Sequence, residues 1–396
     1  MILPSTDTGG DPELALVKLL TDARAARRYD IGFPGATDLG FPALAQILTG
    51  QLLNNVGDPW DLGHGRNHTK EIEQQVIATV ADLLRAPPSR WGYLTTGASE
   101  GTLHALDAAW LRYRDLVVYT STSGHYSIVK GARLLKLPVV TVRTDAFGRM
   151  DIVDLRAELA RRRERSAMIV ATAGTTMTEA VDDVAAITDV CDELAVTRRR
   201  IHVDAALGGI PYATLPDGVR PSFDFTAGAT SMVISGHKFL STLMPCGVLI
   251  YAEPPAATGG GRVAYTGSAD STITGSRSGH TPLLLWWALN TLGPHGLRQR
   301  AEASRELATY THHRLQKIGW PTALNPHAFT VTLDQPPPPV LAKWVLATNG
   351  RTAHIVCMPG VTRDQIDEFL NDLSVSRPIP AQRRRRLMAV QTAPRP

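Results

Sequence analysis

The chain has 396 residues with a formal net charge of +4, and 43% of its residues are hydrophobic. This composition is typical of a globular protein, and the apolar runs are too short to span a bilayer, which argues against a membrane protein. The N-terminus also lacks the pattern of a secretory signal. The sequence therefore predicts a cytoplasmic protein without a membrane partner.

The positive charge is concentrated at the C-terminal end. Residues 374–396 contain six arginines and no acidic residue, so the rest of the chain carries a formal charge near −2. This composition predicts a basic disordered tail over residues 375–396. A polyanion could bind the tail, but no aromatic residue lies between the arginines to stack on bases, and we expect no nucleic-acid partner.

The first predicted unit is an N-terminal arm over residues 1–58. Its segment PELALVKLLTDARAARRY has the pattern of a helix, and the Gly- and Pro-rich stretch IGFPGATDLGFP that follows predicts a loop. Arms of this kind often pack on a neighbouring subunit.

Seven short β-rich segments alternate with helical segments over residues 59–292. Apolar residues on both faces of such segments indicate a mainly parallel sheet covered by helices on both sides, which is the α/β class. The predicted strands begin at Tyr93, Leu116, Val139, Met168, Arg200, Ser231 and Gly247.

The pattern changes over residues 293–374. A long helical stretch leads to FTVTL and HIVCM, which alternate with the helical segments PPPPVLAKWVLATNG and TRDQIDEFLNDL. This β-α-β-α order predicts a small C-terminal α+β domain.

The three cysteines, Cys191, Cys246 and Cys357, lie far apart in the sequence. Their spacing matches no metal-binding motif, and isolated cysteines usually behave as small buried hydrophobic residues. We predict reduced thiols and no metal site.

Polar residues follow several predicted strands, at the edge where open α/β sheets bind ligands. Gly97, Ala98 and Ser99 form a turn between a strand and a helix. The free N–H groups at such a helix start can bind phosphate. An ordinary helix cap explains this turn equally well.

Two further strand ends carry His125 and Asp204. His125 is either a histidine that caps a helix or an imidazole stacked on a planar cofactor. Asp204 ends a buried strand, where a carboxylate needs a cation such as a protonated pyridine nitrogen, unless it only caps the next helix. Small residues at Ala205 and Ala206 leave room for a ring.

Lys238 follows the apolar segment SMVIS, close to Ser235 and His237. Because desolvation of an ammonium group is costly, Lys238 either extends to solvent or loses a proton and reacts with a carbonyl. A reactive lysine, an aspartate for a pyridinium and a phosphate-binding turn together predict a pyridoxal 5'-phosphate (PLP) site.

Seven segments over roughly residues 30–360 carry a family pattern: NNVGD, GYLTTGASEGT, HYSIVKGARLL, ATAGTTMTEAVDD, HVDAALGG, SGHKFLSTLMPCGV and TITGSRSGHTPLLLWW. With these segments the chain resembles the PLP-dependent group II amino acid decarboxylases, in the branch of bacterial histidine decarboxylases and plant serine decarboxylases. The resemblance implies a fold-type I PLP-dependent transferase fold and a homodimer, or a tetramer, with shared active sites.

The resemblance also implies roles for single residues. Lys238 would form the Schiff base with PLP, Asp204 would pair with the pyridine nitrogen, and His125 and Ala206 would lie against the two faces of the ring. Thr176 would lie near the ring. The phosphate would be held by Ala98, Ser99, Ser235 and His237, and by Ser276 of a neighbouring subunit.

The implied reaction is decarboxylation of an L-amino acid, histidine-like or another small polar amino acid or derivative, to the amine and CO2. A rival with the same cofactor is decarboxylative or oxidative deamination, which gives an aldehyde or ketone in a specialised biosynthetic pathway. A scaffold that acts through the arginine tail is a third interpretation, and the presence of Lys238, Asp204 and His125 argues against it.

Two segments depart from the family pattern. The stretch AEPPAATGGGRVAYTGSAD replaces a long mobile loop with a catalytic tyrosine, so Tyr265 is the local candidate for the proton donor or else a structural phenol. The stretch DPWDLGHGRNHTKEIE has His64, Asn67 and His68 where relatives have an aromatic residue before an Asn-Ser or Asn-Thr pair. Either this loop selects a substrate other than histidine, or these are solvent-exposed polar residues.

Overall fold

The structure is a computed structural model that describes residues 11–255 and 261–376. The helices of this part of the chain are α1 Pro12–Tyr29, α2 Ala45–Gly50, α3 Lys70–Leu83, α4 Ala98–Arg112, α5 Tyr126–Leu134, α6 Ile152–Ala160, α7 Val184–Glu193, α8 Gly209–Ala213, α9 His280–Lys317, α10 Pro338–Lys343 and α11 Arg363–Val375. The strands are β1 Trp91–Thr95, β2 Val117–Ser121, β3 Val139–Val142, β4 Ala167–Thr172, β5 Arg199–Asp204, β6 Ser231–Ser235, β7 Gly247–Tyr251, β8 Arg262–Val263, β9 Ser268–Ala269, β10 Thr322–Leu324, β11 Thr330–Asp334, β12 Ala347–Asn349 and β13 Thr352–Val356.

The predicted strands form one seven-stranded sheet in the order β1-β7-β6-β5-β4-β2-β3. Strand β7 runs antiparallel to β1 and β6, and the remaining neighbours are parallel. All seven predicted strands are therefore confirmed, as is the mainly parallel α/β class.

Helices cover both faces of this sheet, as the apolar runs predict. Met168 and Val170 of β4 pack in a cluster with residues of α4 and α5. Ile169 and Ala171 of the same strand belong to the larger core on the opposite face, which includes residues of α3, α6 and α7. Successive residues of a strand point to opposite faces, so a strand covered on both sides is apolar throughout.

A four-stranded antiparallel sheet in the order β10-β11-β13-β12, here called the small sheet, follows α9. Its central strands are the predicted FTVTL and HIVCM segments, whereas the short edge strands β10 and β12 were not predicted. The segment PPPPVLAKWVLATNG is helical only over Pro338–Lys343, and its last part forms β12. Two prolines suit the first turn of α10, where N–H groups have no intrahelical acceptor.

Helix α9 links the two sheets and changes direction at Gly293, which has φ 59° and ψ −179° and precedes Pro294. The break coincides with the predicted boundary between the domains over 59–292 and 293–374. Residues of both sheets nevertheless share one buried cluster. The predicted tail over 375–396 and the start of the arm lie largely outside the described residues.

The arm consists of α1, an extended segment and α2. Its extended segment reaches the large sheet, where the N–H of Ala36 donates to the carbonyl of Lys238 at 3.2 Å. Cys191, Cys246 and Cys357 are buried free thiols, as predicted. Within the described residues, no helix is both long and apolar enough to cross a membrane.

Candidate active site

A cavity of about 360 Å³ lies at the carboxyl ends of the parallel strands. The loops after β1, β2, β4, β5 and β6 all contribute to it, which is the ligand position expected for an open α/β sheet. Nine of the predicted site residues line this cavity: Ala98, Ser99, His125, Thr176, Asp204, Ala206, Ser235, His237 and Lys238.

One end of the cavity is formed by the start of α4. Gly97 precedes this helix and no side chain caps it. The N–H of Glu100 donates to the carbonyl of Gly97, which leaves the N–H groups of Ala98 and Ser99 for an anion. A side chain at Gly247 would come within 3.0 Å of the backbone nitrogen of Ala98, which explains glycine at that position. This end of the cavity suits a phosphate group.

His237 joins the same end of the cavity from the loop after β6. Its Nδ1 lies 3.1 Å from the carbonyl oxygen of Cys246 and 3.2 Å from the nitrogen of the same residue. These contacts fix the ring and leave Nε2 for a ligand. Burial lowers the pKa of His237, so the ring is neutral near neutral pH.

Asp204 ends β5 with only 4% of its surface exposed. Its Oδ1 accepts the N–H of Ala206 at 3.1 Å, so the carboxylate does order the following turn. Thr172 is its register partner on β4, and the buried Oγ1 of Thr172 has no hydrogen-bond partner among the described residues. A buried carboxylate and an unsatisfied hydroxyl side by side fit a polar ligand such as the PLP ring.

His125 is the N-cap residue of α5, and its Nδ1 lies 2.7 Å from Oγ of Ser127. The structure thus confirms the capping role, while the ring also lines the cavity. Burial lowers the pKa of His125, against the opposing effect of Asp204. A neutral, fixed imidazole is suited to lie against a planar ring.

Lys238 is partly buried, directly beyond the end of β6. Burial lowers the pKa of its amine, and the nearby carboxylate of Asp204 only partly opposes this effect. The lysine therefore does not simply extend to solvent. A larger share of free amine at neutral pH makes Nζ a better nucleophile toward an aldehyde.

The segment after Lys238 is held from outside the sheet. Arg300 of α9 donates to the carbonyl of Phe239 and, at 2.6 Å, to Oγ of Ser241, and it forms an ion pair with Asp38 of the arm. Ser241 has φ 57°, a conformation that side chains rarely adopt. These bonds fix the backbone that presents the lysine.

Two predicted site residues do not reach the cavity of their own chain. The exposed Ser276 accepts a hydrogen bond from Nδ2 of Asn54 at 3.2 Å, and Tyr265 is 87% exposed. His64 is exposed and His68 is partly buried, and neither lines the cavity. The roles of Ser276 and Tyr265 stay predictions.

Sequence reasoning did not assign several residues that line the cavity. Thr172 is a polar residue at the end of the apolar strand β4, which is the same signal that identified Asp204. The other additional lining residues are Thr96, Glu100, Tyr126, Gly174 and Pro245, whereas Gly97 belongs to the predicted phosphate-binding turn.

Comparison with known proteins identifies related chains. Residues 44–320 match the pyridoxal-dependent decarboxylase conserved domain. A histidine decarboxylase of Mesorhizobium japonicum is 37% identical over 91% of this chain and 96% of its own length. Serine decarboxylase 3 of Oryza sativa is 33% identical over 95% of this chain and 84% of its own length.

Solved structures share the fold. An L-methionine decarboxylase from Streptomyces superimposes with a TM-score of 0.86 at 23% identity, over 94% of this chain and 96% of that chain. A glutamate decarboxylase from Lactobacillus brevis gives a TM-score of 0.77 at 19% identity, over 95% of both chains.

The matched domain covers well over half of the chain and includes the cavity with Lys238 and Asp204. The matched family and the residues of the cavity both indicate PLP as the cofactor. The chain belongs to the pyridoxal-dependent decarboxylase family and is a PLP-dependent amino acid carboxy-lyase.

Proposed function

We propose that the enzyme removes the α-carboxylate of a small polar L-amino acid, histidine-like or a related derivative, to give the amine and CO2. The observation that carries the proposal is the convergence of Lys238, Asp204 and His125 on one cavity that also receives the start of α4. When bound, PLP supplies the electron sink for the bond that breaks at Cα of the substrate.

In this proposal Lys238 would hold the cofactor through Nζ. The lowered pKa of Lys238 supports this role. Asp204 would keep the pyridine nitrogen cationic, and its burial would make that interaction strong. His125 and Ala206 would lie against the two faces of the ring.

The phosphate and the ring edge would be held by residues from three segments, which follow β1 and β4 and end β6. The first-turn N–H groups of α4 and the fixed ring of His237 support a phosphate at that end. Thr176 lines the cavity next to Gly174, beside the proposed ring position. The proposed phosphate ligands of the same chain are Ala98, Ser99, Ser235 and His237.

The substrate class rests on two relatives of this chain. The relatives at 37% and 33% identity are a histidine decarboxylase and a serine decarboxylase. Orientation of the α-carboxylate perpendicular to the ring would then select decarboxylation over other reactions at Cα.

The test is a panel of L-amino acids incubated with the PLP-loaded enzyme, with the amine and CO2 measured by mass. We expect one small polar amino acid to give amine and CO2 in equal amounts without peroxide. Formation of an aldehyde with ammonia and peroxide would instead support oxidative deamination. Turnover restricted to large apolar amino acids would contradict the substrate class.

We also propose that the enzyme is a homodimer. Helix α1 has no buried residue, and its large apolar side chains are 52–68% exposed. An apolar helix face of this extent is unfavourable in water, and a second copy of the chain is the occupant that would also bring Ser276 to a neighbouring phosphate. The exposed apolar side chains are Leu14, Leu16, Val17, Leu19 and Leu20.

The proposed dimer can be tested by the elution of two α1 variants that change the net charge by the same amount. The native enzyme should elute at twice its chain mass of 42.8 kDa. The double variant Leu16→Glu with Leu20→Glu should elute as a monomer, because it places two carboxylates on the apolar face. Lys18→Glu changes the net charge of α1 equally on the helix face opposite to Leu16 and Leu20, and it should remain dimeric. Dimeric elution of the double variant, measured by light scattering, would argue against α1 as the interface.

Tyr265 is proposed as the proton donor to Cα, acting at the cavity of the neighbouring subunit. Its 87% exposure in a single chain supports a role that needs a partner. A Tyr265→Phe variant that retains full kcat would contradict this assignment.

A cytoplasmic location and the division into residues 1–58, 59–292, 293–374 and 375–396 belong to the same proposal. Three buried free thiols support a reducing compartment. The break in α9 at Gly293 supports the middle boundary. Cell fractionation tests the location, and limited proteolysis tests the division into domains.

A further inference from the structure

Glu179 occupies an unfavourable position in the loop between β4 and α7. Its backbone has φ 52°, in the left-handed region that favours glycine. Its side chain is completely buried, although burial of a carboxylate is costly without compensation. The left-handed backbone and the buried carboxylate of Glu179 both cost free energy, and we expect its hydrogen bonds to offset this cost.

The carboxylate of Glu179 joins three parts of the fold. Its Oε2 accepts the N–H of Phe329 at 3.0 Å and the hydroxyl of Thr330 at 2.5 Å, both at the start of β11. The hydroxyl of Tyr212 in α8 donates to the carbonyl oxygen of Glu179 at 2.9 Å and lies 3.3 Å from Oε1. The side chain thus ties its own loop to α8 and to the small sheet.

The loop that carries Glu179 is closed on itself. The N–H groups of Gly174 and Thr175 both donate to the carbonyl of Ala180 at 3.0 Å, and the N–H of Glu179 donates to the carbonyl of Thr175 at 2.8 Å. Gly174 and Thr176 of this loop line the cofactor cavity. Because the loop is internally bonded, a shift at Glu179 moves its cavity-lining residues as well.

We propose that Glu179 is a positioning residue, which anchors the loop bearing Thr176 to the small sheet and thereby controls how firmly the cofactor is held. The inference rests on the proposed function in one respect, the assignment of Thr176 to the cofactor. It predicts that loss of the anchor accelerates cofactor release while the covalent link through Lys238 can still form.

Protonation of Glu179 should tune this anchor. Burial raises the pKa of Glu179 to about 7, although its hydrogen bonds to Thr330, Phe329 and Tyr212 oppose the rise. The folded state therefore binds the proton more tightly than the unfolded chain, and the stabilisation it gives is lost as pH rises toward about 7. Cofactor release from the native enzyme should accordingly be faster at pH 8 than at pH 6.

The other charged or titratable groups near Glu179 come from the elements packed against it. Arg305 of α9 and the thiol of Cys357 interact with its charge. Arg149 and His327 line a cavity of about 190 Å³ that Glu179 also lines. Burial lowers the pKa of His327, and the variant Glu179→Gln, which leaves His327 in place, separates the contributions of the two groups.

The test uses the PLP-loaded enzyme and three variants. Glu179→Gly removes the anchor but suits the left-handed backbone, so the fold should persist. Glu179→Gln keeps the shape and a neutral side chain. Lys136→Gly is the matched control, because Lys136 also has a positive φ, 55°, but is exposed and lies beyond the C-terminal end of α5, whose opposite end lines the cavity.

Cofactor release is measured as loss of visible absorbance on dilution into a trapping reagent at pH 6, 7 and 8. Glu179→Gly should release the cofactor at least about tenfold faster than the native enzyme at pH 6, and Lys136→Gly should match the native rate. Glu179→Gln should show no increase between pH 6 and pH 8. Equal rates for Glu179→Gly and Lys136→Gly, or an unchanged pH dependence in Glu179→Gln, would overturn the inference.

Hydrogen exchange of the cofactor-free proteins provides a readout that does not depend on PLP. Amides of residues 174–180 should exchange faster in Glu179→Gly than in Lys136→Gly, and unchanged exchange would also count against the anchor. If the proposed cofactor site itself is wrong, the native enzyme will show no slow release of PLP. The two failures are therefore distinguishable.

Discussion

Replacement of Lys238 by alanine is expected to abolish the visible absorbance of the PLP-loaded enzyme and to lower kcat by about 10³-fold or more. The reason is that Nζ of Lys238 is the amine at the cavity whose pKa burial lowers. Without it, the cofactor binds only through its phosphate and ring contacts. Absorbance spectra after gel filtration and single-turnover assays measure the two effects.

A second lysine provides the control. Lys130 is exposed on α5 near the cavity, with its amine 5.3 Å from the ring centroid of Tyr126. Lys130→Ala should retain both the absorbance and most of the activity, because its side chain is exposed and does not line the cavity. A visible band that survives in Lys238→Ala but disappears in Lys130→Ala would show that a different amine holds the cofactor.

Lys70 tests whether a lowered pKa alone identifies the reactive lysine. Lys70 is also buried, and burial lowers its pKa. Its amine, however, donates to the carbonyl of Asp61 at 2.6 Å and does not line the cavity. Access to the cavity, rather than the shifted pKa, therefore distinguishes Lys238.

The positions of the strands could be predicted from the sequence because the signal is local. Strands β1, β4, β6 and β7 are short, largely apolar runs that are buried along their whole length, as expected for strands covered on both faces. The order of the strands is not local. That β7 lies between β1 and β6 depends on pairing between residues such as Thr95 and Gly247, which are far apart in the chain.

The cavity residues could be predicted where a polar side chain interrupts an apolar strand end. Asp204 and His125 carry that signal, and Thr172 carries it too, although more weakly because threonine is common within strands. Ser276 and Tyr265 could not be placed in the same way. Their proposed contacts belong to a neighbouring subunit, and no sequence pattern specifies which residues meet across a subunit interface.

The residues that anchor the cavity loops could not be predicted from the sequence for a different reason. Ser241 and Glu179 have left-handed backbones, which sequence patterns assign to glycine rather than to serine or glutamate. Their side chains are explained by partners about 60 and 150 residues away, Arg300 and Thr330. Only the fold brings these groups together.

Replacement of Asp204 by alanine is expected to lower kcat by about 10³-fold while the covalent link through Lys238 persists. The carboxylate of Asp204 is buried at the cavity and interacts electrostatically with Lys238 and His125. Its removal leaves the pyridine nitrogen uncharged and weakens the electron sink. The visible absorbance should therefore remain, in contrast to Lys238→Ala, and kcat should fall much more than KM rises.

A chemically altered cofactor distinguishes the effect of Asp204 on the charge of the ring nitrogen from its effect on packing. PLP methylated at the ring nitrogen carries a permanent positive charge, and Asp204→Ala leaves room for the methyl group. The kcat of Asp204→Ala should be at least about tenfold higher with the methylated cofactor than with PLP. Asp204→Asn should lose as much activity with PLP but gain little from the methylated cofactor, because the amide still fills the space. Equal turnover of Asp204→Ala with both cofactors would show that Asp204 does not act by keeping the ring cationic.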